Sequence, residues 1–281
     1  MNSERRLDYL IVGHVALDVS DEGATAGGTA AYAGRTAAAL GLEVGVVTSA
    51  GRPAPARALE RLATRIVPAE HTTRFENAYT DAGQQQRLLG RASDLDLESI
   101  PPAWRNPRVA HLAPIADEVD PGLARELPGA LIVLTPQGWL RRWDASGRVR
   151  RKDWTEVAGV LPRAELVFLS QEDIDDDPLW IEQLTARYPL MVITRGARGA
   201  SLFRRGHDVA DLPADPVDEI DATGAGDIFA ASFVARYLEK RDPVQAARFA
   251  NRLAASGVRR RGLDSIPTES EIAAAREQIP A

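Results

Sequence analysis

Short aliphatic and β-branched runs alternate with alanine-rich segments along this chain, and this alternation constrains the fold more than any other feature. It is typical of an α/β fold with a largely parallel sheet. The predicted strands are residues 7–15, 44–48, 109–112, 130–134, 166–169 and 190–194. The predicted helices are residues 28–40, 54–63, 225–239, 243–259 and 269–278, and Gly41 is a normal stop for the first of them.

One segment, residues 71–95, interrupts the alternation. Two extended runs flank an Asp-Ala-Gly turn at residues 81–83, which predicts a hairpin. Its polar side chains suit an appendage better than a core, although a surface hairpin without any role would have the same composition. Because the sequence shows no repeat and no long linker, we predict a single domain over residues 1–281 with a small protruding flap.

The bulk composition excludes several classes of function. With 281 residues, 44% of them hydrophobic, the chain can bury a full core. A net charge of −6 disfavours a broad nucleic-acid surface, which is normally basic. The absence of cysteine excludes disulfides, thiolate metal sites and cysteine nucleophiles. No apolar run approaches the roughly 18 residues of a membrane span, and the polar residues 1–6 lead straight into a strand. We therefore expect a cytoplasmic protein with no nucleic-acid or membrane partner.

The segment from Asp221 to Asp227 reads Asp-Ala-Thr-Gly-Ala-Gly-Asp and precedes an apolar helix. Glycines at the start of a helix let another group approach the backbone closely, where the free N–H groups and the positive helix end converge. This pattern predicts an anion hole suited to phosphate or to the charge that develops in phosphoryl transfer. Asp227 is placed to accept the proton of an attacking hydroxyl. Taken alone, the same residues also serve simply to start a helix, and that alternative stays open.

Three further motifs lie at residues 13–18, 27–33 and 194–199. Together with residues 221–227 they resemble, in order, four signatures of the PfkB family of ribokinase-like carbohydrate kinases. These signatures are a first strand ending in a substrate-contacting Asp, an N-terminal Gly-Gly motif, a nucleotide-phosphate loop and a C-terminal motif. The resemblance covers most of the chain. It implies a three-layer α/β sandwich with a mainly parallel central sheet, and a small β lid formed by residues 71–95 and part of 15–26.

The resemblance also implies an activity, which is ATP-dependent phosphorylation of a hydroxyl on a small carbohydrate or cyclic polyol, with Mg²⁺ as cofactor. Asp227 is the implied general base, and Gly224, Ala225 and Gly226 are the implied anion hole. The implied substrate-binding residues are Asp18, Gly27, Gly28, Thr29, Arg74, Asn77 and Gln137. The implied nucleotide-binding residues are Thr194, Gly196, Gly199 and Asn251.

Two departures from the family pattern bear on the metal and the substrate. The family has Asn-x-x-Glu after a central strand, where this chain has Ser170 and Asp173, with Glu172 adjacent. We expect Asp173 and Glu172 to hold magnesium through water, since serine and carboxylate oxygens suit a hard cation. Thr29 stands where ribokinase-like sequences commonly carry Asn. The stretches at residues 27–30, 111–114, 136–141 and 169–173 are together similar to the myo-inositol-kinase-like branch, and Gln137 and Arg141 are expected near the substrate. Many relatives also bind a monovalent cation, which implies a K⁺ site at Asp221 and Thr223.

Two other functions stay open. A nucleoside kinase would use the same fold and base, and Phe75 and Tyr79 on the hairpin offer an aromatic wall for its base. A catalytically silent ligand sensor is the second alternative, favoured by the altered Asn-x-x-Glu motif and opposed by the intact Asp227. A P-loop kinase and a dinucleotide enzyme are disfavoured, because neither glycine-rich motif is present. A homodimer formed through the lid is also expected.

Overall fold

The parallel sheet predicted from the sequence is present. The computed structural model describes residues 6–20, 23–80 and 83–279. Its strands are β1 (Tyr9–Val12), β2 (Ala16–Ser20), β3 (Gly23–Gly27), β4 (Val44–Ala50), β5 (Ala63–Pro68), β6 (Thr73–Thr80), β7 (Gly83–Gly90), β8 (Val109–Leu112), β9 (Leu131–Leu134), β10 (Arg141–Trp143), β11 (Val149–Arg151), β12 (Leu166–Ser170), β13 (Leu190–Thr194), β14 (Ala200–Arg204) and β15 (His207–Leu212).

Its helices are α1 (Thr29–Ala39), α2 (Leu123–Glu126), α3 (Trp154–Val157), α4 (Gln171–Ile174), α5 (Pro178–Arg187), α6 (Ala225–Lys240), α7 (Pro243–Gly257) and α8 (Glu269–Gln278). Among the described residues, no helix combines the length and the apolar character that a membrane crossing would need.

The main sheet has nine strands in the order β15-β14-β13-β12-β9-β8-β1-β4-β5. The seven strands from β13 to β5 pair in parallel, and β14 and β15 extend the sheet by antiparallel pairs. Both faces are buried, because alternate residues of each strand enter different core clusters. Tyr9 and Ile11 pack with Phe229 and Phe233 on one side, while Leu10 and Val12 belong to the cluster on the other. Burial on both faces explains why these strands read as continuous apolar runs.

A second, four-stranded sheet has the order β3-β2-β6-β7. We call it the lid sheet. β2 and β6 are parallel, whereas the β2–β3 and β6–β7 pairs are antiparallel. The hairpin predicted over residues 71–95 therefore exists as β6 and β7, and residues 81–82 of its turn lie outside the described residues. The α/β class and the small β lid are confirmed, and the single-domain assignment stays a prediction.

The helix predicted over residues 54–63 is wrong. The chain forms only a short 3₁₀ helix at Ala56–Leu59 and then enters β5. Prolines at positions 53 and 55 oppose a longer helix, and Thr64, Ile66 and Val67 favour a strand. That strand completes the edge of the sheet beside β4. Strands β10, β11, β14 and β15 were not expected from the sequence.

Candidate active site

A cavity of about 610 Å³ lies between the lid sheet and the carboxyl ends of the central parallel strands. In α/β sheets this edge is where ligands usually bind. Side chains reach the cavity from just beyond β9, β12 and β13, from the lid sheet, and from the first turns of α1 and α6. Among the described residues its charged lining is mostly acidic, with one guanidinium, that of Arg141, beside the carboxyl groups of Asp18, Glu172, Asp173, Glu219, Asp221 and Asp227. A cation bound together with phosphate groups would offset this negative charge.

The start of α6 brings the glycine motif to the cavity. Gly224 is the residue before the helix, with a left-handed φ of 79°. A Cβ at Gly224 would lie 2.4 Å from the ring of Tyr32, so only glycine fits above that ring. Gly226 also lines the cavity. The N–H of Ala225, in contrast, donates to the carbonyl of Ala222 at 3.1 Å, so its proton is already used inside the turn.

Asp227 lies in the first turn of α6 and lines the cavity, half-buried. The pKa of Asp227 is raised to about 7. Burial is the largest cause of this shift, the hydrogen bond from the Thr29 hydroxyl acts to lower the pKa, and the charge of Asp173 acts to raise it. Thr29 is the first residue of α1, so the amino ends of α1 and α6 meet at this carboxyl group. A carboxylate with a pKa near neutrality is suited to accept a proton from a hydroxyl.

Asp18, on β2, faces the cavity from the lid sheet. Burial raises the pKa of Asp18, a hydrogen bond from Asn77 lowers it, and the nearby charge of Asp221 raises it. Gly28 also lines the cavity, whereas Gly27 lies behind it, where an added Cβ would sit 3.0 Å from Oδ2 of Asp18. Gly27 thus makes room for the Asp18 side chain.

A chain of polar contacts links the lid sheet to the body of the molecule. Nδ2 of Asn77 donates to Oδ1 of Asp18 at 3.3 Å. Oδ1 of Asn77 accepts from Nε2 of Gln86 at 3.0 Å, and Oε1 of Gln86 accepts from Nη1 of Arg141 at 2.9 Å. Nη2 of Arg141 lies 3.7 Å from Oδ1 of Asp173. We call these five residues the polar belt.

Gln86 and Arg141 also line the cavity, and only Arg141 was expected near the substrate from the sequence. Burial lowers the pKa of Arg141, while the charges of Asp173 and Glu172 raise it. No local signal in the sequence marks Gln86. Gln86 pairs with Asn77 across β6 and β7, so it could have been found only from the register of the hairpin.

Arg74 is not brought to the cavity, which corrects its implied role. Arg74 pairs with Leu17 and Phe75 pairs with Asp18. Since successive strand residues point to opposite faces, Phe75 faces the cavity and Arg74 faces outwards, where it is exposed. The side chain of Tyr79 lies outside the described residues.

Asp173 lines the cavity and also stabilises the start of α4. Oδ2 of Asp173 accepts from the N–H of Ser170 at 2.9 Å, and Ser170 caps the N–H of Glu172 in return. Oδ1 of Asp173 accepts from Nε2 of Gln137 at 3.1 Å. Glu172 and Asp173 both line the cavity, and carboxylate oxygens suit magnesium. Within the described residues no group of three or more His, Cys, Asp or Glu side chains is arranged to hold a metal ion.

The implied nucleotide-binding residues divide into two groups. Thr194 lines the cavity, and its hydroxyl donates to the carbonyl of Leu169 at 3.3 Å. Gly196, Gly199 and Asn251 are not among the lining residues. At Gly199, where φ is 90°, a Cβ would lie 2.0 Å from the carbonyl oxygen of Leu212. Asn251 donates to that same carbonyl at 3.1 Å. Asn251 therefore holds the end of β15 through its hydrogen bond, and Gly199 leaves room for that end to approach closely.

The residues of the implied K⁺ site, Asp221 and Thr223, both line the cavity. Oδ1 of Asp221 accepts from the N–H of Thr223 and Oδ2 from the N–H of Gly262, each at 2.9 Å. Burial acts to raise the pKa of Asp221, but the hydrogen bond from the Thr223 side chain, together with those from the two N–H groups, outweighs burial and holds the pKa below its usual value. Asp221 is thus a carboxylate with both oxygens engaged by backbone.

Comparison with known proteins gives a consistent result. Residues 161–270 match the profile described as pfkB family carbohydrate kinase. The chain is 28% identical over 264 residues to a cytidine kinase of Thermococcus kodakarensis, which spans 86% of this chain and 92% of the relative. A pyrophosphate-dependent kinase of the ribokinase family, solved with a pyrophosphate analogue and myo-inositol, superimposes with a TM-score of 0.77 and 19% identity over 95% of this chain and 99% of that one. Arabidopsis thaliana ribokinase, solved with ribose and ATP, gives a TM-score of 0.70 and 17% identity, covering 96% and 99% of the two chains.

Proposed function

We propose that the chain is a kinase of the PfkB family, whose profile residues 161–270 match, and that it transfers a phosphoryl group from ATP to a hydroxyl of a small carbohydrate or cyclic polyol. The observation that supports this most is Asp227, a half-buried carboxyl group with a pKa of about 7 at the start of a glycine-led helix. It shares one cavity with Asp18, which approaches from the lid sheet.

In the proposed reaction Asp227 accepts the proton of the acceptor hydroxyl as the hydroxyl oxygen attacks the terminal phosphorus of ATP, and the bond from that phosphorus to the bridging oxygen breaks to release ADP. The Thr29 hydroxyl orients the carboxyl group through its hydrogen bond. The free N–H groups of the first turn of α6 and the positive end of the helix stabilise the charge on the transferring group. Asp18 accepts hydrogen bonds from the other hydroxyls of the acceptor, and Asn77 donates hydrogen bonds to them. The lid sheet excludes water.

Magnesium bound with the donor would neutralise charge on the phosphate oxygens. Glu172 and Asp173 are the residues placed to hold it, through water. Gln137 and the N–H of Ser170 orient the Asp173 carboxylate. Asp221 and Thr223 remain the residues proposed for K⁺, and a cytoplasmic location stays a prediction.

A nucleoside kinase is the second candidate, favoured by an apolar patch in the cavity. Phe75 and Ile115 both line the cavity and pack in one buried cluster. A flat aromatic and aliphatic wall suits a nucleobase better than it suits a polyol. The similarity to a cytidine kinase points the same way.

The decisive experiment measures ATP consumption with Mg²⁺ across pentoses, hexoses, inositols and nucleosides, for the wild type and for Asp227→Asn. We expect one carbohydrate or polyol to be turned over, and the variant to lose about 10²- to 10⁴-fold in kcat while the acceptor still raises its melting temperature. Asp175→Asn is the matched control, since Asp175 is an exposed carboxylate of the same region.

Each other outcome identifies a different function. Turnover of nucleosides alone would favour the second candidate. Ligand-dependent stabilisation without turnover of any acceptor would indicate a silent sensor. Pyrophosphate is tested beside ATP, because a structurally similar kinase is pyrophosphate-dependent; turnover with pyrophosphate alone would replace ATP as the donor.

A further inference from the structure

A buried polar chain runs under the cavity and ends at a residue that lines it. The hydroxyl of Tyr9 lies 2.8 Å from Nδ1 of His111. Nε2 of His111 lies 3.0 Å from the hydroxyl oxygen of Thr135. Tyr9 and His111 are fully buried in the middle of the main sheet, on β1 and β8. Thr135 follows the last residue of β9 and lines the cavity. Neither the glycine motif nor the polar belt includes any of these three residues.

The sheet holds the two rings in a fixed arrangement. Tyr9 pairs with Val109 and Ile11 pairs with His111, so Tyr9 and His111 point to the same face of adjacent strands. Their rings meet edge to face, with centroids 5.8 Å apart. The N–H of Thr135 donates to the carbonyl of Leu112 at 3.2 Å and so extends the β8–β9 pairing by one residue. The three polar groups therefore have little freedom to change partners.

Both buried rings are neutral in the physiological range. Burial lowers the pKa of His111 to about 3. Burial, and after it the negative charge of Asp227, raises the pKa of Tyr9 above its ordinary value. A neutral imidazole has one nitrogen that donates and one that accepts. The direction of the chain then depends on which nitrogen carries the proton.

Only one direction leaves no buried proton without an acceptor. If the Tyr9 hydroxyl donates to Nδ1, then Nε2–H donates to the Thr135 oxygen, and the protons of both buried rings have an acceptor. In the reverse direction the Tyr9 proton would need a second acceptor, and among the described residues the Tyr9 hydroxyl has no hydrogen-bond partner other than His111. A buried donor without an acceptor is costly. The Tyr9 hydroxyl therefore donates, and His111 carries its proton on Nε2.

This assignment fixes the hydrogen-bonding character of Thr135 towards the cavity. Because the Thr135 oxygen accepts from Nε2–H, its own proton must point away from the ring. We propose that the Thr135 hydroxyl, oriented by the Tyr9–His111 pair, donates a hydrogen bond to an oxygen of the acceptor substrate and so determines which acceptors bind. Thr135 is a specificity residue, and Tyr9 and His111 are positioning residues. The inference rests on the proposed function, since it requires an oxygen-bearing acceptor in this cavity.

The test compares Thr135→Val, which keeps the shape and removes the hydroxyl, with Thr135→Ser, which keeps the hydroxyl. The probes are D-ribose, D-fructose, myo-inositol and cytidine, measured by turnover and by the shift in melting temperature. For the acceptor that the wild type uses, we expect Thr135→Val to raise KM about 5- to 30-fold, the loss typical of one hydrogen bond. We expect kcat and the KM for ATP to change less than about twofold, and Thr135→Ser to behave like the wild type.

Several results would overturn the inference. One is an unchanged acceptor KM in Thr135→Val, and another is a failure of Thr135→Ser to restore it. A third is a loss of ATP binding in Thr135→Val that parallels the rise in acceptor KM, which would show a merely structural role. A lower melting temperature alone is expected, because Thr135→Val leaves the Nε2–H of His111 without its acceptor. If the wild type binds a probe without turnover, the proposed function fails, and the same variants then test the inference by melting shifts. If no probe binds, both fail together.

A spectroscopic measurement tests the positioning residues without any substrate. Long-range ¹H–¹⁵N spectra near pH 7 distinguish the two neutral imidazole forms, and the chain has only four histidines. His71→Gln and His207→Gln, both at exposed positions, assist the assignment. We expect His111 to be protonated on Nε2, and we expect Tyr9→Phe to weaken this preference. A proton on Nδ1 of His111 in the wild type would contradict the proposed direction.

Discussion

At the scale of single residues, the ionisation of Asp227 is the most consequential property of the cavity. A pKa of about 7 means that the carboxyl group is only partly ionised at neutral pH. Since the proposed base must be deprotonated to accept a proton, kcat/KM should rise as the pH passes through about 7 and level off above it. The charge of Asp173 contributes to the raised pKa, so its removal should shift the profile.

We expect Asp173→Asn to move the midpoint of the kcat/KM profile to lower pH, whatever its effect on the maximal rate. The asparagine oxygen can still cap the N–H of Ser170, which preserves the local turn. Asp175→Asn is the control, because that side chain is 68% exposed, and its midpoint should equal that of the wild type. The measurement is kcat/KM between about pH 5.5 and 9 for the wild type and both variants. A wild-type profile without a midpoint near neutrality would count against Asp227 as the base.

Gly224 and Gly226 make a matched pair for separating folding from catalysis. Gly224 has a positive φ and would place a Cβ 2.4 Å from the Tyr32 ring, whereas a Cβ at Gly226 would meet nothing within 4 Å. We expect Gly224→Ala to lower the free energy of unfolding by about 1–3 kcal/mol. Gly226→Ala should unfold like the wild type but lose kcat, since its methyl group would lie where the phosphoryl group is expected. Urea denaturation and kinetics of both variants test this, and normal kcat in Gly226→Ala would exclude that position for the phosphoryl group.

At the scale of elements, the lid sheet presents two faces with different tasks. Asp18, Phe75, Asn77 and Gln86 face the cavity, whereas Arg74 lies on the opposite face. Gln86 receives a hydrogen bond from Arg141 and donates one to Asn77, and thus connects the lid sheet to the body. The proposed binding of acceptor hydroxyls therefore depends on Gln86, the hairpin residue that contacts both Asn77 of the lid sheet and Arg141 of the body.

We expect Gln86→Ala to raise the acceptor KM about tenfold, the equivalent of roughly one hydrogen bond, with a smaller change in the KM for ATP. Arg74→Ala, in the same lid sheet, should leave both constants within about twofold of the wild type. Steady-state kinetics of the two variants is the measurement. The opposite ranking, with the larger effect at Arg74, would mean that the lid sheet turns its other face to the substrate.

At the scale of the whole molecule, we expect a homodimer to form through the outer face of the lid sheet. Leu89, on β7, is 43% exposed, and Leu17 lies half-buried on the same sheet. Sedimentation velocity should show a dimer for the wild type and a monomer for Leu89→Asp, because a carboxylate opposes burial of this face. Leu179→Asp is the control, since Leu179 is 55% exposed on α5, away from the lid sheet. A wild type that stays monomeric at all concentrations would show the expectation to be wrong.

The sequence by itself determined what depends on neighbouring residues. The bounds of β8, β13 and α8 agree with their predicted ranges, because apolar runs, caps and glycines act within a few positions of the chain. The α/β class follows from their alternation, and the glycine motif before α6 is equally local. The tertiary structure alone decided which side chains meet across long separations in the chain. It placed Thr135 beside His111, joined Gln86 to Arg141, turned Arg74 outwards and engaged Asn251 with β15. Strand register and packing set these contacts, and a shift of one residue in a strand reverses every side chain on it.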